Sequence, residues 1–254
     1  MCNTVPRERG SGRPRGSRRA HPPDSCGAES TVDGVSELLP LFPLATVLFP
    51  GALLPLHIFE PRYRVLVKRS VERGRPFGVV LIRAGEEVGA PADPCAVGTE
   101  ARIVGMTALP DGRSYIVTRG ERRFAVEGLI SDAEPYLVGR VRYLSEVEGM
   151  GARAQVDEAV EALGAYLLAV AAAADDERGD PALVDELKGA APVEIAYKIA
   201  GALAIDARER QSLLELDTAS ERLREETRLL ERETERLRDL LVRLRARGDR
   251  RELN

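Results

Sequence analysis

Two histidines, three cysteines and three lysines limit what this 254-residue chain can offer to an imidazole- or thiolate-based site or to a phosphate-binding loop. His57 and Glu60 stand three residues apart, a spacing that orients an imidazole or supplies half of a metal site. Metal sites need three or four ligands, and no cysteine or second histidine falls nearby, so a histidine in a strand is the simpler reading and neither metal nor cofactor is expected. A phosphate loop needs Gly-Lys-Ser/Thr, whereas Lys68, Lys188 and Lys198 are followed by Arg, Gly and Ile. Arginine outnumbers lysine 34 to 3, but most of it alternates with glutamate along acidic stretches, the pattern of a solvated, salt-bridged helix face.

The elements that position these residues start from residues 39–63, which carry Pro40, Pro43, Pro50, Pro55 and Pro61 among large apolar side chains. Each proline removes a donor and biases its predecessor to extended geometry. The stretch therefore reads as a strand, a turn at Pro50-Gly51, a second strand, and a helix opening at Pro61 with Tyr63, Leu66, Val67 and Val71 at helical spacing. A buried strand follows over 78–83, then a polar, turn-rich loop over 84–97. Further strands are predicted over 99–109, 114–118, 123–130 and 136–143, with a hairpin turn at Pro110-Asp-Gly112. Several strands with one inserted helix suggest a small closed or nearly closed barrel.

Beyond residue 148 the pattern is helical throughout: an alanine- and leucine-rich helix over 152–174, a short one over 181–187, and one over 192–204 with Ile195, Ile199 and Leu203 in a stripe. Asp206 followed by Glu209 resembles a capping box opening a last helix over about 207–247. On it Leu216, Leu223, Leu230, Leu237 and Leu244 fall seven apart, interleaved with Leu213, Ser220, Thr227, Thr234 and Leu241. That is a heptad seam, which either dimerises as a coiled coil or folds back onto the chain's own helices.

Three stretches carry a family resemblance: Leu39-Pro-Leu-Phe-Pro-Leu44, Val47-Leu-Phe-Pro-Gly51 and Leu54-Pro-Leu-His-Ile-Phe-Glu-Pro-Arg-Tyr63. Downstream, in order, come Gly98-Thr99 with Ala101 and Ile103, Leu109-Pro-Asp-Gly112, and Gly120-Glu-Arg-Arg-Phe124. Together they resemble the amino-terminal, substrate-binding domain of the Lon protease family over residues 38–147. The resemblance implies a PUA-like β-barrel and a domain that recognises substrates and helps assemble the protease. It also marks Pro50, Gly51, His57, Glu60, Arg62, Tyr63, Gly98, Gly120 and Arg123 as motif positions with structural roles, among which an ion pair between Glu60 and Arg123 is expected to tie the helix start to the barrel. A Lon-type enzyme needs an ATPase module and a serine-lysine dyad, for which this chain has neither room nor residues. No enzymatic activity is expected.

The fold expected is thus α+β: a disordered Arg/Gly/Pro-rich tail over 1–35, a PUA-like β-barrel with one inserted helix over 36–147, and a helical bundle over 148–254 with a long last helix. The tail offers almost nothing to bury, and a translation start near Val32 or Val35 would remove most of it. Net charge is +2 over 1–35, +1 over 36–147 and −7 over 148–254, which argues against a dedicated nucleic-acid binder. Scattered cysteines and the lack of a membrane-length apolar run fit a soluble, cytoplasmic protein. The function expected is a non-enzymatic module that binds unfolded or specific polypeptides through Leu53, Leu54, Leu56 and Phe59, as an adaptor, competitor or holding factor in protein quality control. A Lon-type protease is an expected partner, and an RNA-binding PUA-like protein is the alternative reading.

Overall fold

Pro40 and Pro43 shape how the first strand is used. β1 (Glu37–Leu44) runs antiparallel to β6 (Val138–Tyr143) over residues 37–40, then parallel to β3 (Phe77–Ala84) over residues 41–44. Each half is in register with one neighbour, and a proline, lacking a donor, is tolerated where one side of a strand stays outside the ladder. The structure is a computed structural model that describes residues 36–85, 93–130, 134–174, 187 and 189–252, with side chains through 244. The tail over 1–35 and nearly all of the short helix expected over 181–187 lie outside the described residues.

The remaining strands are β2 (Leu53–Ile58), β4 (Asp93–Ala108) and β5 (Ser114–Ile130). The six-stranded sheet has the order β2-β5-β4-β3-β1-β6, with a further pairing between β5 and β6. Because β6 pairs with both β1 and β5, the ladder of β1, β3, β4, β5 and β6 returns on itself. β2 stands outside that ring, paired among the described residues to β5 alone. Two expectations need correction. Residues 93–97 belong to β4 rather than to a loop, and the strands expected over 114–118 and 123–130 are one, since Gly120 keeps the pairing going opposite Ala101.

Helix α1 (Pro61–Arg73) begins on a proline and ends on Gly74 at φ 59°, whose N–H caps the last turn. Its Tyr63, Leu66 and Val67 are buried against Phe42, Phe77 and Ile116. The four other described helices are α2 (Ala152–Ala173), α3 (Pro192–Ala202), α4 (Ala207–Glu215) and α5 (Ala219–Glu252). Asp206 does open α4, its carboxylate accepting from the N–H groups of Arg208 and Glu209 at 2.9 Å. The single helix expected over 207–247 is nevertheless two. The chain leaves the helix after Glu215 and restarts on a second capping box, in which Thr218 Oγ1 accepts from the Glu221 N–H and the Glu221 carboxylate accepts from the Thr218 N–H. A heptad spacing cannot register this break, because the leucines keep their period across it.

The seam itself is consumed inside the chain. Leu223 and Leu230 are fully buried in a core they share with Leu163 and Tyr166 of α2, Ile195 and Ile199 of α3, and Val47, Phe49 and Leu81 from the strand region. Ser220, Thr227 and Thr234 are also buried. Ser220 Oγ donates to the Met150 carbonyl at 3.0 Å and Thr227 Oγ1 to the Leu223 carbonyl at 2.9 Å, so these two hydroxyls enter the seam satisfied, whereas Thr234 Oγ1 has no hydrogen-bond partner among the described residues. Only toward the end do apolar groups emerge, with Leu240, Val242 and Leu244 49, 67 and 51 % exposed. The described residues from 36 on pack as one compact unit, and among them no helix is long and apolar enough to cross a membrane.

Candidate functional site

β2 is built to be an edge. Pro55 at its centre cannot donate to a ladder, and the strand alternates, with Leu53, Pro55 and His57 exposed while Leu54 and Leu56 are half-buried and Ile58 is fully buried. Of the four apolar residues proposed from sequence as a contact surface, Leu53 and Phe59 lie open at 57 and 47 % exposure. Leu54 and Leu56 instead pack on the core beneath. Tyr115 of β5, directly opposite His57 in the register, stacks on the imidazole with 4.6 Å between ring centroids, and the Phe59 ring lies tilted to it at 5.6 Å. The result is an exposed apolar and aromatic strip along a strand that, among the described residues, is paired on one side only. At its end, Phe42, Leu56, His57, Phe59, Glu60 and Tyr63 line a hollow of about 240 Å³.

The other motif residues hold the backbone in place. Gly51 sits at φ 81° in the turn, and its N–H donates to the Gly120 carbonyl while the Gly120 N–H donates to that of Ala52. A Cβ at Gly120 would stand 2.3 Å from the Phe49 carbonyl oxygen, and one at Gly98 2.6 Å from that of Val79. Glu60 and Arg123 do not meet. Glu60 accepts from Arg62 at 3.0 Å, and the Arg62 guanidinium lies over the Tyr63 ring at 4.5 Å, which steadies the start of α1.

Arg123, 1 % exposed, points the other way, into the joint between sheet and helices. It forks onto the Glu146 carboxylate at 2.9 and 3.2 Å and donates to the carbonyls of Leu214 and Leu216 at 2.7 Å each. Arg222, also buried, donates to the carbonyls of Leu213 at 2.9 Å and Leu216 at 2.6 Å and covers the ring of Tyr197. The Tyr197 hydroxyl in turn donates to Glu146 at 2.6 Å, and burial pushes that phenol well above its usual range. Two guanidinium groups thus take up the carbonyls that the break between α4 and α5 leaves without intrahelical donors. One turn further along α5, Glu226 is wholly buried with neither carboxylate oxygen hydrogen-bonded, and desolvation holds its pKa far above the ordinary range despite the nearby Arg222. No local sequence signal marks Arg123, Glu146, Tyr197 and Arg222 as one network, since they come from four separate segments.

Sequence reasoning also missed a trough along α1. A hollow of about 660 Å³ between α1 and the β4–β5 hairpin, with Val65, Val71, Met106 and Leu109 in its wall, shares Val71 and Met106 with a second of about 350 Å³. The second shares Ser70, Arg75 and Arg102 with a cleft of about 720 Å³. In that cleft the buried Glu100 accepts from Arg122 at 3.2 Å and from the hydroxyl of Tyr143, whose ring Arg122 covers at 3.7 Å. Burial, with the Glu100 carboxylate second, pushes the Tyr143 phenol far above its usual range. Among the described residues no group of three His, Cys, Asp or Glu stands close enough to hold a metal ion.

The architecture is α+β, a strand ring with an apolar outlying strand joined through buried arginines to a helical array. The chain belongs to the family of the ATP-dependent protease La (LON) substrate-binding domain, whose family model matches residues 38–232. It is 33 % identical over 208 residues to Lon protease 2 of Myxococcus xanthus, covering 80 % of this chain and 24 % of that one. It is 34 % identical over 123 residues to Lon protease of Cytophaga hutchinsonii, covering 47 % of this chain and 15 % of that one. The chain therefore spans a quarter or less of the length of these relatives. Among solved structures it is similar to the Lon N-terminal domain protein from Xanthomonas campestris, at 28 % identity and a TM-score of 0.53, over 74 % of this chain and 96 % of that one. The N-terminal domain of Mycobacterium avium complex Lon protease shares the fold with a TM-score of 0.59 at 19 % identity, over 77 % of this chain and 98 % of that one.

Proposed function

We propose that this chain is a non-enzymatic polypeptide-recognition module that holds extended apolar segments of other proteins along β2. The strand ring that returns on itself is then the PUA-like barrel of the family, serving as a rigid support for the outlying strand. The observation that carries the reading is the exposed strip of Leu53 and His57 on β2, Phe59 just past it and Tyr115 of β5 beside it, where β2 is paired on one side only among the described residues. Such an edge takes an extended peptide by strand addition, with main-chain hydrogen bonds supplying affinity and alternate side chains supplying preference. In a cell the module would act as an adaptor, a competitor for substrates or a holding factor, with a Lon-type protease as the partner its family suggests.

The test is fluorescence anisotropy with a labelled unfolded polypeptide such as casein, comparing the natural chain with the double variant Leu53→Asp, Phe59→Asp. Burying one such side chain is worth about 1.5–3 kcal/mol, so affinity should fall at least about tenfold while circular dichroism stays unchanged. Binding that is indifferent to both charges would overturn the edge as the contact surface.

A further inference from the structure

We infer that the arginine-lined end of the trough along α1 is a carboxylate-selecting subsite, which favours polypeptide segments whose apolar side chain is followed by a carboxylate. The inference rests on the polypeptide-recognition reading and adds to it a preference in the ligand. The cleft is apolar at its floor, where Leu39, Leu66 and Val138 are buried or nearly so, and cationic at its rim. The rim charges are unequal in availability. Arg69 donates to Tyr136 at 3.0 Å and pairs with Glu134, Arg102 is held by Glu121 at 2.6 Å, and Arg122 is held by Glu100. Arg73 and Arg75, exposed and flanking the left-handed Gly74, form no ion pair among the described residues. With Glu100 already paired inside the cleft, these two guanidinium groups outnumber Glu37, the one lining carboxylate that forms no ion pair among the described residues, and a planar fork matches a carboxylate with two parallel bonds.

The same cleft is poorly suited to a nucleic acid. Stacking a base needs an open aromatic face, and Tyr143 is covered by Arg122 while Tyr136 is only 8 % exposed. The arrangement calls instead for an apolar residue seated on the floor with a negative group one step away at the rim. Both an α-carboxylate at a chain terminus and an aspartate side chain supply that chemistry.

The experiment compares three labelled peptides of one apolar sequence by anisotropy: one with a free α-carboxylate, its carboxy-terminal amide, and the amide carrying an aspartate after the last apolar residue. The free-carboxylate or the aspartate peptide should bind about tenfold tighter than the plain amide, a difference of 1.4 kcal/mol. Whichever of the two gains more identifies the source of the carboxylate. The variant Arg73→Glu, Arg75→Glu should abolish that gain, leave binding of the plain amide unchanged, and melt like the natural chain. Equal binding of all three peptides, or a preference that survives the double variant, overturns the inference, as does tighter binding of single-stranded RNA than of any peptide. If the three bind equally but lose affinity in Leu53→Asp, Phe59→Asp, the polypeptide-recognition reading stands and only the subsite falls. If none binds, both fall.

Discussion

Replacing Arg123 by methionine should loosen the joint between the strand ring and the helices without touching any exposed surface. The change removes four hydrogen bonds, two to Glu146 and one each to the carbonyls of Leu214 and Leu216. Their losses are unequal. Leu216 keeps the bond from Arg222, and Glu146 keeps the Tyr197 hydroxyl with its own side chain 31 % exposed. Leu214 loses the side-chain donor that caps it, at about 1–3 kcal/mol for a buried group left unpaired. The partly screened ion pair adds about 1 kcal/mol. The sum, about 2–4 kcal/mol, falls somewhat below the roughly 3–5 kcal/mol of breaking a wholly buried pair. At about 2–4 °C per kcal/mol for a chain of this size, thermal unfolding followed by circular dichroism should shift down by roughly 5–15 °C. Arg123→Lys keeps the charge but not the fork and should fall between the two. A methionine variant that melts within about 2 °C of the natural chain, or a lysine variant that matches it, would refute the assignment of Arg123 as the joint.

Glu226 supplies a pH test. Its folded pKa is raised above the ordinary value of 4.5, so its contribution is fully favourable below that value and is lost as pH rises toward the folded pKa, by up to about 1.4 kcal/mol per pH unit. Glu226→Gln should therefore melt like the natural chain near pH 4 and progressively above it toward pH 8; a gap that stays flat or reverses would mean that an ionised Glu226 is stabilised by Arg222. Gly120→Ala, whose Cβ meets the Phe49 carbonyl, should cost about 1–3 kcal/mol. Gly164→Ala within α2, with nothing within 4 Å of its Cβ, should instead stabilise by about 0.5–1 kcal/mol in the same melts, and equal effects would discount the close approach at Gly120. Leu230→Asp puts a charge into the core of the helical array, so light scattering should show no dimer lost while the chain unfolds or loses helicity; a folded protein of halved mass would restore the coiled-coil reading of the seam.

The local elements were legible in the chain because their signals are local. Pro61 with Tyr63, Leu66 and Val67 sets α1, the prolines before it forbid a helix, Pro110-Asp-Gly112 turns the β4–β5 hairpin, and the motif residues from Leu39 to Phe124 identify the family. Leu53 and Phe59 were also readable as candidate contacts, although the period of two in β2 turns Leu54 and Leu56 toward the core. What tertiary structure alone decided is where charges meet and where a periodic pattern stops. Arg123 had a plausible partner in Glu60, yet it lies across from Glu146 and the open carbonyls of Leu214 and Leu216, because buried donors go to the unsatisfied acceptors that packing brings near them. The break at residues 216–218 escaped detection for the same reason. Leucine spacing reports which face is apolar, whereas the end of α4 depends on two arginines, one of them 91 residues away in sequence, that make its free carbonyls tolerable.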